Sequence, residues 1–549
     1  MVSSFVGMVI LLGGLIFFHE MGHYLVAKFF KVRVEVFSLG FGKKIFSRVI
    51  GETEYALSIV PLGGYVKLMG DDPYKAVPAE NAARAFSTQK LFKRFLIVSA
   101  GPIANLILAF VIVLFVLWYG EPEPGTKIGS VTPESPAFLV GLRPNDRIRA
   151  VDEKEVATWD QIDEILRNRV GQRVSFRIER LNQTLMVPYE VVKVRTKNFV
   201  GQEEEVGGLK GALVYPFEPL AGVSNPGSPA GIAGLRTGDL ITKIDSSPIH
   251  VFEDINSALM TAWSPNKPVT ITVKRSDQKE YSLTMTFPNT ALPKDLSVLG
   301  AAEALGIFPS ELFVRSLAPG SAAEKGGILV GDRLAQLGKR KIVSFDAVVD
   351  EVQAGAKASA TIAFRVERGG KILDIPLTPV EQELEDPLTH EKYKKYMVGI
   401  VPQTAYHEPE IVIFKIRELG PLLERAFQDT RELVRKTVLS IVMLVTGKVS
   451  VKNLGGPLLI ASVAGKSLDI GVVAFLKTMA LISINLFLLN LLPVPLLDGG
   501  HLFFYVVELF KGKPVSVRTM EIATQIGMAL ILMLVGLTLF NDVYRLVAH

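Results

Sequence analysis

The sequence predicts a multi-domain α-helical membrane protein, with four transmembrane helices, a membrane-associated β-hairpin and an inserted array of three tandem, strand-rich α+β repeats. Three observations predict it. Apolar residues make up 49% of the 549-residue chain and mean hydropathy is +0.33, yet 21% of residues are charged, so lipid-facing and water-facing parts coexist. Four apolar segments approach the ~20 residues that a membrane span needs. Between the second and third of them, Asp146, Asp239 and Asp332 mark three copies of one pattern at a constant interval, with Ser135, Ser228 and Ser321 keeping step.

The first span covers residues 4–29. It carries no charge from Phe5 to Phe18, and its helical character continues through HEMGHYLVAKFF. No Lys or Arg precedes the apolar run and no small-residue cleavage site follows it, so it is predicted to be a retained span and not a signal peptide. Residues 95–119 form the second span, about 472–497 the third and about 522–540 the fourth. The apolar stretch 437–447 is too short to cross and reads as an amphipathic, surface-lying helix. Residues 51–68 alternate as a β-hairpin dipping into the inner leaflet. Basic residues, among them Lys28, Lys31, Arg33, Lys43, Lys44, Arg48 and Lys75, outnumber acidic ones two to one between the first two spans. By the positive-inside rule that loop is cytoplasmic, and residues 120 to about 430 face outward.

Each repeat reads as a strand, a polar turn, a short helix, a Gly-Asp turn and a second strand, followed by an amphipathic helix such as TWDQIDEILRN and two more strand-rich runs. A glycine-flanked apolar strand closes each unit: GLKGALV (208–214), EALGIF (303–308) and YMVGIV (396–401). These features resemble PDZ domains in the circularly permuted form of bacterial proteins, which implies grooves that take peptide termini by strand addition. The predicted segments are 1–124 (two spans, hairpin), 125–217, 218–311 and 312–405 (PDZ 1 to 3), 406–470 (linker helices) and 471–549 (two spans).

Cysteine is absent, which excludes disulfides and any Cys-ligated zinc site. A net charge of +5 without a dense basic tract sets nucleic acid aside as a partner. The partners this composition does predict are a lipid bilayer and proteins met in or at it.

The chemistry concentrates in FFHEMGHYLV. Ionisable groups at membrane depth are costly and mark function. On a helix, residues four apart project from one face, so His19 and His23 can share one tetrahedral zinc, with Glu20 near enough to act as general base. Two imidazoles underfill the ion. NLLPVPLLDGGHLFF (490–504) offers Asp498, where Pro493 and Pro495 break the helix and irregular backbone at membrane depth points to a cavity. The first and third spans both run inward, which puts Asp498 at the depth of the histidines; His501, deeper toward the cytoplasm, is the competing ligand.

His19 to His23 in the first span, SAGPIAN (99–105) opening the second, the repeat insertion, FSLGFGKKIFSRVIGETEYALSIVPLGGYVKLMGD (37–71) and NLLPVPLLDGG (490–500) together resemble the site-2 protease family of intramembrane zinc metalloproteases over essentially the whole chain. A third PDZ copy departs from the member most resembled, which has two. The resemblance implies zinc held by His19, His23 and Asp498, Glu20 as catalytic base, and hydrolysis of peptide bonds inside the transmembrane segments of single-span substrates such as anti-sigma factors or remnant signal peptides. It places the chain in a bacterial cytoplasmic (inner) membrane, with the active site toward the cytoplasm. Asn490 is the candidate for binding the extended substrate backbone, with Pro493, Pro495, Gly63 and Gly64 admitting substrate and water around it. Asn105 packs or bonds nearby. Two other classes fit part of the pattern: a metal-ion transporter, which leaves Glu20 idle, and a membrane-tethered PDZ scaffold.

Overall fold

The computed structural model describes residues 2–71, 77–197, 203–292, 299–357, 361–385, 392–447, 451 and 454–548. Lys75 lies outside them. The chain divides into two compact units, one built from residues up to 121 and from 414 onward, the other from residues 122–386 and 392–413.

In the first unit, α1 (Val2–Phe29) and α2 (Leu91–Tyr119) are joined by β1 (Val34–Ile50) and β2 (Thr53–Leu68). After the second unit come α3 (Leu419–Val445), α4 (Pro457–Ile470), α5 (Val472–Leu491), α6 (Asp498–Lys511) and α7 (Val517–Ala548). Helices α1, α2, α5 and α7 are long and apolar enough to cross a membrane. Leu11, Leu15, Leu108, Ile112, Phe475 and Ile484 knit α1, α2 and α5 into one core.

Three details differ from the sequence expectation. The third span stops at Leu491, not 497, because Pro493 and Pro495 lack the N–H a continuing helix needs; the chain restarts as α6 at Asp498. The stretch 437–447 belongs largely to the end of the 27-residue α3 and is no separate helix. Residues 51–68 are not a self-contained hairpin. Segment 36–39 pairs on one side with 64–67 and on the other with 54–57, and 54–57 pairs in turn with 46–50, so β1 and β2 each fold back to make four adjacent segments. Gly40 permits the fold-back of β1: its φ is +86°, and a Cβ there would lie 2.7 Å from the Val60 carbonyl. The outer segment around 45–50, together with Ile59 beyond segment 54–57, exposes Ile45, Phe46, Val49, Ile50 and Ile59, each about 60% accessible or more.

The second unit contains three cores, centred on Phe176 and Tyr189, on Phe287, and on Phe313 and Phe364. Each repeat holds a sheet: 147–151 with 173–180 and 183–190, 240–244 with 268–274 and 280–286, and 333–337 with 362–368 and 371–377. Ser135, Ser228 and Ser321 cap the short helices by accepting from backbone N–H groups three residues on. Each closing strand is entered through a glycine, Gly211, Gly306 or Gly399, with φ between +82° and +90°; a Cβ there would run into the capping serine.

The repeated aspartates have partners that pattern reading missed. Asp146, Asp239 and Asp332 are buried and accept from Arg180, Arg275 and Arg368, each of which also donates to a backbone carbonyl, of Gly141, Gly234 and Gly327 respectively. A buried carboxylate is tolerated when it is paired and hydrogen-bonded, and removing one partner of such a pair is strongly destabilising.

Glu253, on helix Phe252–Ala262, and Glu311, in turn Ser310–Leu312, carry carboxyls that loss of water contact pushes up to about 7; Asp346 adds repulsion at Glu311. Because the fold raises these values, both groups hold a proton more tightly in the native state than in the unfolded chain. Their stabilisation is therefore complete below the unfolded value of 4.5 and is lost as pH rises through about 7. The repeat unit is expected to unfold at lower temperature at pH 8 than at pH 5, and Glu253→Gln with Glu311→Gln to shrink that difference. Thermal unfolding of the full-length chain at both pH values checks this; an identical pH dependence in the variant contradicts it.

Candidate metal centre

The site lies where α1, α2 and the start of α6 meet. On α1, His19 and His23 are one turn apart, and their Nε2 atoms are 3.3 Å from each other. Asp498 Oδ2 is 3.1 Å from His19 Nε2 and 3.5 Å from His23 Nε2. A tetrahedral zinc with ligand bonds of ~2.0–2.1 Å has donor atoms about 3.3 Å apart. The three observed separations match that edge, and among the described residues these three form the one cluster of His, Cys, Asp or Glu able to hold a metal ion. His501 lines the same cavity without joining the cluster.

Local sequence explains how the groups arrive. Gly22 lets α1 approach α2 so closely that a Cβ would sit 2.3 Å from the Ala100 carbonyl oxygen. Gly101 leaves room for both rings: a Cβ there would fall 2.2 Å from His23 Nε2 and 2.9 Å from His19 Cε1. The His23 ring is turned by Nδ1–H donating to the Ile97 carbonyl at 2.8 Å, which leaves Nε2 with its lone pair toward the cluster. Asp498 opens α6 after a loop in which Leu496 has φ +103°, a strained value for a branched side chain. Gly499 and Gly500 let that loop lie on the helix start, since a Cβ on either would meet a loop carbonyl within 2.6 Å. At the far end of α6, Glu508 pairs with Arg94 of α2 at 2.5 Å, and the guanidinium covers the Tyr505 ring.

Glu20 lies against segment 64–67 of β2, where a Cβ on Gly64 would sit 3.0 Å from its Cγ. A cavity of about 780 Å³ opens over these groups, lined by His19, Glu20, His23, Gly64, Asn490 and Asp498 among others. Of the remaining substrate-binding candidates, Gly63, Pro493 and Pro495 are not in the lining. Gly63 is held against the Phe41 ring, and the Pro495 carbonyl packs where a Cβ on Gly527 of α7 would be. No one-dimensional pattern marks Gly22 or gives Gly101 of SAGPIAN a role, because both act through a close helix–helix approach; the pairing of Arg94 with Glu508 has no sequence signal either.

The description of peptidase family M50 matches residues 7–534. The chain belongs to that family, the site-2 protease family. It is 30% identical to a regulator of sigma E protease from Haemophilus influenzae, over 98% of each chain, and 30% identical to a protease RseP from Yersinia pestis, over 99% of each. A Vibrio cholerae serotype O1 chain whose name classes it among zinc metalloproteases is 31% identical over 99% of both. A solved PDZ-domain protein from Parabacteroides distasonis overlaps 50% of the chain and 95% of its own length at 10% identity with a TM-score of 0.14, too low to speak for the fold. This M50 member is a zinc metalloprotease, and the transporter and scaffold readings fall away.

Proposed function

We propose that this M50 metalloprotease hydrolyses peptide bonds within the membrane-spanning segments of single-span proteins, with His19, His23 and Asp498 holding zinc and Glu20 as general base. The observation that carries this reading is three donor atoms, 3.1 to 3.5 Å apart, set on and beside helices long and apolar enough to lie in a bilayer. Zinc bound there supplies Lewis acidity toward a peptide carbonyl and an attacking water. Glu20 takes the proton of that water and passes it to the leaving amine. Its side chain lines the cavity beside Gly64 of β2.

A helical substrate hides its carbonyls, so it must be held extended. Among the described residues segment 64–67 is paired on one side only, with 36–39, and Gly64, Tyr65, Val66 and Leu68 line the cavity; an unwound substrate adds to that edge as a further strand. Asn490, in the same lining, hydrogen-bonds the extended backbone. The exposed apolar side chains at 45–50 and 59 suit immersion of the sheet tip in the inner leaflet.

By the positive-inside rule the catalytic end faces the cytoplasm of a bacterial inner membrane and the repeats face outward. We read the repeats as PDZ domains and the substrates as anti-sigma factors, in keeping with a relative named regulator of sigma E protease, or as remnant signal peptides, which have the same single-span form. Outward-facing folded repeats would act as a size filter on substrates with bulky external domains, so deletion of 125–405 should let untrimmed substrate be cut. The test is a cleavage assay in liposomes with a panel of tagged single-span proteins. Cuts mapping inside the apolar segment, abolished by chelation and restored by zinc, are expected; cuts confined to soluble flanks would overturn the intramembrane reading.

A further inference from the structure

We propose that Asn105 is a positioning residue for His19: its amide oxygen accepts the Nδ1 proton of that imidazole and so leaves Nε2 unprotonated toward Asp498 and His23. This deepens the zinc reading above and rests on it.

The two histidines face the same requirement. An imidazole that ligates through Nε2 carries its proton on Nδ1, and that proton needs an acceptor that also fixes the ring. For His23 the acceptor is the Ile97 carbonyl. For His19 the group at hand is Asn105 of α2, wholly buried, whose amide lies 3.3 Å from Nδ1.

As placed, the amide nitrogen faces Nδ1 and the buried Oδ1 has no hydrogen-bond partner. That orientation would drive the imidazole proton onto Nε2, where the metal belongs. Amide oxygen and nitrogen are told apart by their hydrogen bonds, and the two orientations fill the same space. Turning the amide over gives Oδ1 a donor and frees the Nε2 lone pair in one step. Asn105 is also anchored independently of its side chain, because its backbone carbonyl accepts from Ser483 of α5 at 2.7 Å, and Ser483 is itself fully buried. One residue of α2 thus touches the helix that carries His19 and the helix that leads to Asp498.

The test uses the full-length protein and reads zinc affinity by competition with a chromogenic chelator, apart from any activity. Asn105→Leu, which keeps the bulk and removes the acceptor, should weaken zinc binding about 10- to 100-fold. Asn105→Asp, which keeps an acceptor, should stay within about threefold of wild type, whereas a packing role would leave even the bulk-preserving Asn105→Leu near wild type. Equal weakening in both variants would show that the acceptor is not what matters and overturn the inference. Unchanged affinity in Asn105→Leu, with His19→Ala losing zinc, would overturn this inference alone. Unchanged affinity in His19→Ala would overturn it together with the ligand assignment.

Discussion

Glu20→Gln is expected to reduce peptide hydrolysis by a factor on the order of 10² to 10⁴ while zinc affinity stays within about twofold of wild type. The amide is nearly isosteric, so the cavity wall is kept. What it lacks is a site for the water's proton. Glu20 is not one of the three clustered donor atoms, which is why metal binding and turnover should separate at this residue. Cleavage of a tagged single-span substrate, with zinc measured on the same preparation, checks it. Cleavage at the normal rate would assign the base to another group.

Gly101→Ala should cost nearly the whole site. Its methyl would fall 2.2 Å from His23 Nε2 and 2.9 Å from His19 Cε1, distances no real contact sustains. His23 is pinned by the Ile97 carbonyl on its own α2 neighbour, so the ring cannot swing aside without breaking that bond. Zinc binding should weaken at least tenfold and hydrolysis follow it. Gly13→Ala is the matched control on α1, where an added methyl meets nothing within 4 Å, and it should bind zinc as wild type does. Wild-type zinc affinity in Gly101→Ala would show that the helices can part here.

Much of this architecture could be read from residue order because its signals are local. The i, i+4 spacing of His19 and His23 puts two imidazoles on one helix face whatever surrounds them. Span direction alone set Asp498 at matching depth. The repeat period showed itself because each unit reuses the same serine cap and Gly-Asp turn. Period-two alternation, by contrast, says which residues share a face but not which strand they pair with, so the four-segment sheet of β1 and β2 was read as the hairpin 51–68. The aspartate of each repeat stood out in the repeated turn, whereas its arginine lies more than thirty residues on and meets it only through the fold. Gly22 and Gly101 matter through a close approach of two helices that no single segment encodes. Pro493 and Pro495 announced a break in the third span, and the structure shows what the break does: it ends one helix and starts another whose first residue is Asp498.

The most direct measurement is the X-ray absorption spectrum of the zinc-loaded full-length protein. The account predicts a four-coordinate shell of nitrogen and oxygen at ~2.0–2.1 Å with the scattering of two imidazoles, from His19 and His23, and a carboxylate from Asp498. A shell with three imidazoles, which would bring in His501 in place of Asp498, or one with none, would contradict it.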